Sequence, residues 1–375
     1  MRQRRLGKTG LEVSMLGLGG FHLLEIPTPE AVSLIDYYLD SGGNYLETAA
    51  SYGDGESEVK LGKVIGRRRD ACILATKTGA RDAGGAAKSL ERSLRNLNTD
   101  HIDILFMHSV SSIEDLDRIL GPGGAMEFVE RARRNGKVRY VAISVHGQPG
   151  SLITALRRYP FDAAMATLNY YDRCNFPELE TELIPLCREK DTGLLAMKAM
   201  ADGFLWRSVP AALRYVWSLD RLATIVAGAN SRAMLEQDIQ CANEFQPMSG
   251  EEVAELFRHA PELGNYVCRQ CATCPVCNLC GRVPVKDVFR LEGYFDRQMR
   301  DGDPRTPPEF ALRDRLRFWY ENRNLARAEY GRLGIDASKI CGDCRKCDGK
   351  CPYGLPVRFK LRHAHYKLSG DAESF

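Results

Sequence analysis

The chain has 375 residues, 44% of them hydrophobic and 27% charged, with a formal charge of +3. That length suits a large core plus a second small domain, and a balance so close to neutral leaves no electrostatic case for a nucleic-acid partner, although the last stretch, PVRFKLRHAHYKL, is locally basic and reads as a solvated helix face. The opening MRQRRLGKTGLEVS has no uninterrupted apolar core after its basic residues and no window is long enough for a membrane span, so a soluble cytoplasmic protein in a reducing compartment is expected, with no membrane partner.

Taken in chain order, short apolar runs recur at intervals of roughly 25 to 35 residues. They are MLGLGG (15–20), NYLETA (44–49), ACILATK (71–77), HIDILFMH (101–108), VRYVAISV (138–145), AAMATLNY (163–170), GLLAMKAM (193–200) and ATIVAGA (223–229). Segments of helical period lie between them, among them PEAVSLIDYYLDSG, ESEVKLGKVIGRR, MEFVERARRNGK and VPAALRYVWSLD, several closed by Gly, Asn or Asp. Such an alternation implies a parallel sheet, and eight units imply an α/β fold of the (β/α)8 TIM-barrel type over residues 1–260. A doubly wound open sheet is the alternative, but GLGG lacks the spacing of a GxGxxG turn.

In such barrels the βα loops at the strand ends make the concave face where chemistry sits. The second strand ends on Glu47, with Tyr52 in the following loop; the third ends on Lys77 and the fourth on His108. Together they form an acid-base set for delivering a proton to a carbonyl oxygen. The lysine ammonium is expected to draw the tyrosine below its ordinary pKa, the carboxylate to hold the lysine charged, and the imidazole to position the carbonyl or shuttle the proton. Each has a plainer reading: a loop tyrosine, a lysine snorkelling from a strand end, a hydrogen-bonded core histidine. Joint placement at one rim favours function.

NYLETAASYGDGE, ATKTG, ILFMH, GKVRYVAIS and the opening RRLGKTGLEVSMLGLGG resemble the aldo-keto reductases over about residues 1–245. The resemblance implies a nicotinamide-dependent carbonyl reductase with Tyr52 as general acid, Lys77 as its partner and His108 as the orienting residue. Glu47 stands where the family usually has aspartate, one methylene shorter. Ser144, Asn169 and Lys198 fall where the family contacts nicotinamide or its neighbourhood, whereas Met165 stands where a glutamine often reads the carboxamide. GANSRAMLEQDI resembles the segment holding the adenine half and its phosphate, which places Gly228, Ala229, Asn230, Ser231, Arg232 and Asp238 at the cofactor. Met234 replaces the arginine that many members use for the 2′-phosphate, with Arg232 as a substitute, so NADP and NAD both stay open.

Residues 261–375 read as a small, mainly helical iron–sulfur domain. CRQCATCPVCNLC places Cys268, Cys271, Cys274, Cys277 and Cys280 at every third position, and CGDCRKCDGKCPYG brings Cys341, Cys344, Cys347 and Cys351, the last before a proline. Neighbouring CxxC cysteines are poorly placed for disulfides. The second run has the bacterial ferredoxin spacing CxxCxxCxxxCP, so two [4Fe-4S] clusters are expected, with Cys351 reaching the cluster of the first run and Cys277 or Cys280 reaching that of the second. Nine cysteines serve eight positions, and spacing does not name the spare; zinc is the competing metal. Cys72, Cys174, Cys187 and Cys241 read as buried, inert thiols. The segments DVFRLEGYFDRQMR and RLRFWYENRNLARAEYGRLG read as helices joined by the polar loop DGDPRTPPE, and the whole part resembles the ferredoxin-like extension of one aldo-keto reductase branch.

Three functions follow. In the first, an oxidoreductase acts on a small carbonyl or alcohol while the clusters exchange electrons with a partner such as a ferredoxin-type carrier; a flavin to link two-electron and one-electron steps stays open. In the second the clusters are structural. The third is a non-catalytic iron–sulfur electron-transfer module.

Overall fold

The computed structural model describes residues 1–110, 112–146, 149–170, 173, 176, 178–201, 205, 208–258, 268, 276, 279–296, 326–336, 340–342, 344–351 and 355–370. It opens with a hairpin the sequence did not announce: β1 (Gln3–Arg5) pairs antiparallel with β2 (Glu12–Ser14). Leu6, Leu11 and Val13 of this hairpin are buried in one cluster with Tyr45, Ile104, Phe106 and Met165. The Arg4 guanidinium anchors it by donating to the carbonyl oxygens of Trp217 and Leu222 at 3.0 and 2.9 Å.

All eight expected barrel strands form: β3 (Leu16–Gly19), β4 (Tyr45–Glu47), β5 (Ile73–Thr78), β6 (Ile102–Met107), β7 (Val138–Val145), β8 (Ala163–Thr167), β9 (Gly193–Met197) and β10 (Leu222–Gly228). They pair in parallel in sequence order and β10 closes on β3, so the sheet is a barrel rather than an open doubly wound sheet. Every residue of β6 is buried, as a strand covered on both faces must be.

Around them run α1 (Thr28–Asp40), α2 (Glu56–Arg68), α3 (Ala83–Asn96), α4 (Ile113–Leu120), α5 (Ala125–Arg134), α6 (Gly150–Arg158), α7 (Ile184–Glu189), α8 (Val209–Trp217) and α9 (Arg232–Asn243). Local chemistry sets their ends. The Asp82 carboxylate accepts from Gly85 N to start α3, Ser112 accepts from Asp115 N to start α4, and Ser231 accepts from Met234 N to start α9, each satisfying a first-turn amide that has no partner within the helix.

The chain divides into two compact units, Met1–Met200 with Arg207–Pro247, and Ala201–Trp206 with Met248–Phe375. The second contains α10 (Gly250–Arg258), α11 (Val285–Asp296) and α12 (Val357–Ser369). Val288, Phe289 and Leu291 of α11 share a core with Val357, Leu361, Ala364 and Leu368 of α12, and with Cys341 and Cys347. The buried Glu292 carboxylate reinforces the pair, meeting Lys360 Nζ at 2.6 Å and Lys367 Nζ at 3.4 Å. The expected connecting loop DGDPRTPPE, most of the second helical segment, and Cys174, Cys271, Cys274 and Cys277 lie outside the described residues. Among the described residues no helix is long and apolar enough to cross a membrane.

Candidate active site

Parallel register carries the strand ends to one rim. Ala50 N donates to Lys77 O at 3.1 Å, His108 N to Thr78 O at 2.9 Å and Val110 N to Ser144 O at 3.0 Å, so each loop is tied to a neighbouring strand as it leaves the barrel. On this rim the structure brings together all four residues of the expected acid-base set. The buried Lys77 ammonium donates to Tyr52 Oη at 3.1 Å and to Thr48 O at 3.0 Å, and it forms an ion pair with the equally buried Glu47. The rings of Tyr52 and His108 stand edge to face with centroids 5.8 Å apart.

Backbone chemistry places the tyrosine. After it, Gly53, Asp54 and Gly55 all take positive φ (58°, 51° and 96°), a turn for which glycine at two of three positions removes most of the steric penalty. Arg92 braces the turn from α3, reaching Asp54 Oδ1 at 2.8 Å and Ala50 O at 3.1 Å.

The electrostatics differ from the sequence expectation in one respect. Burial pushes the Tyr52 phenol above its ordinary value rather than Lys77 pulling it down. The physical reason is that the ammonium is already engaged by Glu47 and Thr48 O, while a phenolate in this wall would lose its hydration. The hydroxyl is therefore protonated at neutral pH and able to donate. Burial also draws Lys77 well below its ordinary value, and the Glu47 carboxylate opposes that loss of charge. His108 falls to about 2, first through burial and then through Lys77, His146 and Arg81. A neutral ring fits the orienting role and not that of a charged proton carrier. Its Nδ1 lies 3.4 Å from Ser51 Oγ, and Arg81 grips the loop through His108 O at 3.0 Å and Asp115 Oδ2 at 2.9 Å.

Two outcomes test these charges. Glu47→Ala leaves the buried ammonium unpaired and is expected to cost about 3–5 kcal/mol of stability, with Glu47→Asp far milder; equal losses of denaturation midpoint would contradict the pairing. A His108 value below that of the unfolded chain means that the unfolded state binds the extra proton. The stabilisation of the neutral ring is then complete above the ordinary histidine pKa of about 6.5 and is lost as pH falls below it. Denaturation of the wild type and His108→Asn at pH 8 and pH 5 checks this: the gap between them should narrow at pH 5.

The expected cofactor positions are distributed as follows. Ser144 is fully buried and accepts from Ser109 N at 3.1 Å. Asn169 Nδ2 donates to the carbonyl of Lys198 at 3.2 Å, and Lys198 itself takes a positive φ of 58°. Met165 is packed in the barrel interior. Past β10, Ala229 is buried, Asn230 Nδ2 donates to Glu25 Oε2 at 2.6 Å, and the Asp238 carboxyl is pushed up to about 7 by burial. Arg232 pairs with Glu236 at 2.7 Å and lies over the ring of Tyr37.

Sequence reasoning missed Phe21, whose ring meets Tyr52 at 5.1 Å, and His22, whose Nδ1 lies 2.6 Å from Glu25 Oε1. A Cβ on Gly228 would strike the His22 ring at 2.0 Å, so the small residue there admits the imidazole. The available signal was their position directly after the first barrel strand.

The chain thus contains a closed parallel barrel with a tyrosine, a lysine, a carboxylate and a histidine gathered on its strand-end rim. Residues 15–210, more than half of the chain, match the aldo/keto reductase family, and the chain belongs to that family and is an oxidoreductase. It is 25% identical over 312 residues to the uncharacterized oxidoreductase YqkF of Bacillus subtilis (strain 168), covering 70% of this chain and 97% of that one. Among solved structures, the holo form of aldo-keto reductase AKR11C1 from Bacillus halodurans matches with a TM-score of 0.60 and 27% identity, over 69% of this chain and 96% of that one. An aldo-keto reductase from Klebsiella pneumoniae in complex with NADPH shares the fold at a TM-score of 0.57 and 22% identity, over 69% of this chain and 94% of that one.

Proposed function

We propose that the barrel reduces a small carbonyl, or oxidises the corresponding alcohol, with a nicotinamide cofactor at its strand-end rim. The observation that carries this is the contact of Lys77 with both Tyr52 Oη and Glu47 beside the His108 ring. When bound, a reduced nicotinamide would supply the hydride for such a reduction. Tyr52 Oη gives its proton to the carbonyl oxygen, Lys77 stabilises the tyrosinate left behind, and Glu47 keeps Lys77 charged. Neutral His108 orients the carbonyl by a hydrogen bond.

Ser144, Asn169 and Lys198 would hold the nicotinamide end. Met165 has no polar atom suited to a carboxamide, so that end is read by fewer side chains than in relatives with glutamine. Gly228 to Arg232 and Asp238 would hold the adenine half, with Ser231 opening α9 toward its phosphate. Met234 is 46% exposed and carries no charge for a 2′-phosphate, and Arg232, the one arginine of the segment, already has Glu236 and Tyr37 as neighbours. NADH is therefore expected to serve at least as well as NADPH. Direct titration of both into the protein tests this; binding of neither would remove the nicotinamide reading.

The second part of the proposal concerns residues 261–375 as a ferredoxin-like domain holding two [4Fe-4S] clusters. Supporting it, cysteines from both runs gather on one apolar core: Cys341 and Cys347 within it, Cys268, Cys280 and Cys351 packed against it. Cys280 lies close enough to act electrostatically on both Cys341 and Cys347, and Cys344 acts on Cys341. These four thiols would hold one cluster, with Cys280 as the ligand from the first run. Among the described residues no group of three or more His, Cys, Asp or Glu is gathered to hold a single ion; a four-iron cubane is wider than one ion, so its ligand sulfurs stand further apart. Bound clusters supply one-electron transfer. Cys72 and Cys187 fit a structural role, burial raising them to about 11 and about 12, whereas Cys241 is half-buried. Iron and sulfide analysis of anaerobically purified protein should return about eight iron atoms per chain; a colourless, zinc-loaded protein would overturn the assignment. A cytoplasmic, reducing location fits both halves.

A further inference from the structure

We infer that the exposed face of α12 is the docking surface for a small acidic electron-carrier protein. This inference rests on the iron–sulfur reading of the second unit and names its partner class and contact face.

The helix carries four Lys or Arg and two His, and no acid, over Val357–Ser369. Its inner face is consumed by packing: Val357, Leu361, Ala364 and Leu368 are buried, and Lys360 and Lys367 turn onto Glu292. The rest of the surface is unlike an ordinary solvated helix. Phe359 is 66% exposed and stacks on His363, with ring planes 8° apart, and Tyr366 continues the stripe one turn further at 37% exposure. Phe359 lies between Arg358 and Lys360 in the chain, so a large, mostly exposed phenyl stands next to basic side chains. Aromatic side chains ringed by basic ones are the composition of a contact patch.

Position gives the patch its partner. Arg362 of α12 donates from Nε to Cys341 O at 2.9 Å and from its terminal nitrogen to Gly342 O at 3.3 Å, so the helix is fastened directly to the loop that begins the second cysteine run. That loop adds Arg345, Lys346 and Lys350, all exposed, to Arg362 and to Arg358, which faces Asp348 at 3.8 Å, so five basic residues lie on this side against that one described acid. A carrier must bring its redox centre close to the cysteines to exchange electrons. A surface that is basic, aromatic and joined to the cysteine loop matches a small protein with an acidic face, and such pairs associate by electrostatic steering over small, transient interfaces.

The test uses the anaerobically purified full chain and a small acidic [2Fe-2S] ferredoxin as the probe, with Kd measured by titration at low ionic strength. Phe359→Ser and Arg358→Gln are each expected to raise Kd about tenfold, and the wild-type Kd should rise steeply as salt goes from about 50 to about 300 mM. Iron content and carbonyl turnover with reduced nicotinamide should be unchanged in both variants, because neither residue is a cysteine or a member of the proposed catalytic set. If the protein contains its iron but both variants bind the ferredoxin as the wild type does, the basic residues serve only to offset the charge of the clusters and the docking face is wrong. Protein without iron overturns the iron–sulfur reading and the docking face with it.

Discussion

Tyr52→Phe is expected to lower carbonyl turnover by about a hundredfold to ten-thousandfold, the range over which a positioned general acid acts, while the affinity for nicotinamide changes by no more than about twofold. The hydroxyl is the only atom removed, and it is the atom that Lys77 Nζ contacts at 3.1 Å. The ring keeps its edge contacts to Phe21 and His108, so the wall of the site should survive. Loss of kcat with an unchanged cofactor Kd is the signature of a group needed only in the transition state. Lys77→Met should resemble it in turnover but also lose stability, because it leaves the Glu47 carboxylate buried without its partner. Near-normal turnover in Tyr52→Phe would transfer the acid role elsewhere, and a matched loss of cofactor affinity would mean that the variant had disturbed the pocket.

The barrel was legible because its strands are mostly buried, β6 throughout, so their apolar runs stand out from the helices around them. The hairpin was not: strands of three residues, Gln3–Arg5 and Glu12–Ser14, present too short a pattern, and the carbonyls that anchor Arg4 lie about two hundred residues away at Trp217 and Leu222. The same division holds at the site. Glu47, Lys77 and His108 could be read off because each closes or follows a strand, and a barrel delivers strand ends to one rim. Ser51, Phe21 and His22 were harder to find, since residue type alone does not mark them, and for Phe21 and His22 the one signal is their position after the first barrel strand. The direction of the Tyr52 shift was hidden for a related reason. Proximity to lysine follows from register, but burial depends on how the surrounding loops close over the ring.

Which cysteine crosses between the two runs is the sharpest case, because Cys277 and Cys280 each follow the preceding cysteine by three residues and spacing does not separate them. If Cys280 joins Cys341, Cys344 and Cys347, then Cys280→Ala should cut iron from about eight to about four per chain and erase the same spectroscopic signal as Cys344→Ala. Cys351→Ala should erase the other signal, since in the ferredoxin spacing the cysteine before proline serves the distant cluster. Each crossing ligand would bond a segment near residue 270 to one near residue 345, so either loss should also loosen the second unit and increase its proteolysis while the barrel stays resistant. The apolar core makes the same link without metal: Val276 and Val283 pack in one cluster with Ile340 and Leu355. An alanine that loses a cluster should therefore weaken this unit without unfolding it completely. If Cys280→Ala retains both signals, the fourth ligand is another cysteine. If Cys351→Ala erases the signal that Cys344→Ala erases, the two runs form independent sites and the crossed arrangement is wrong.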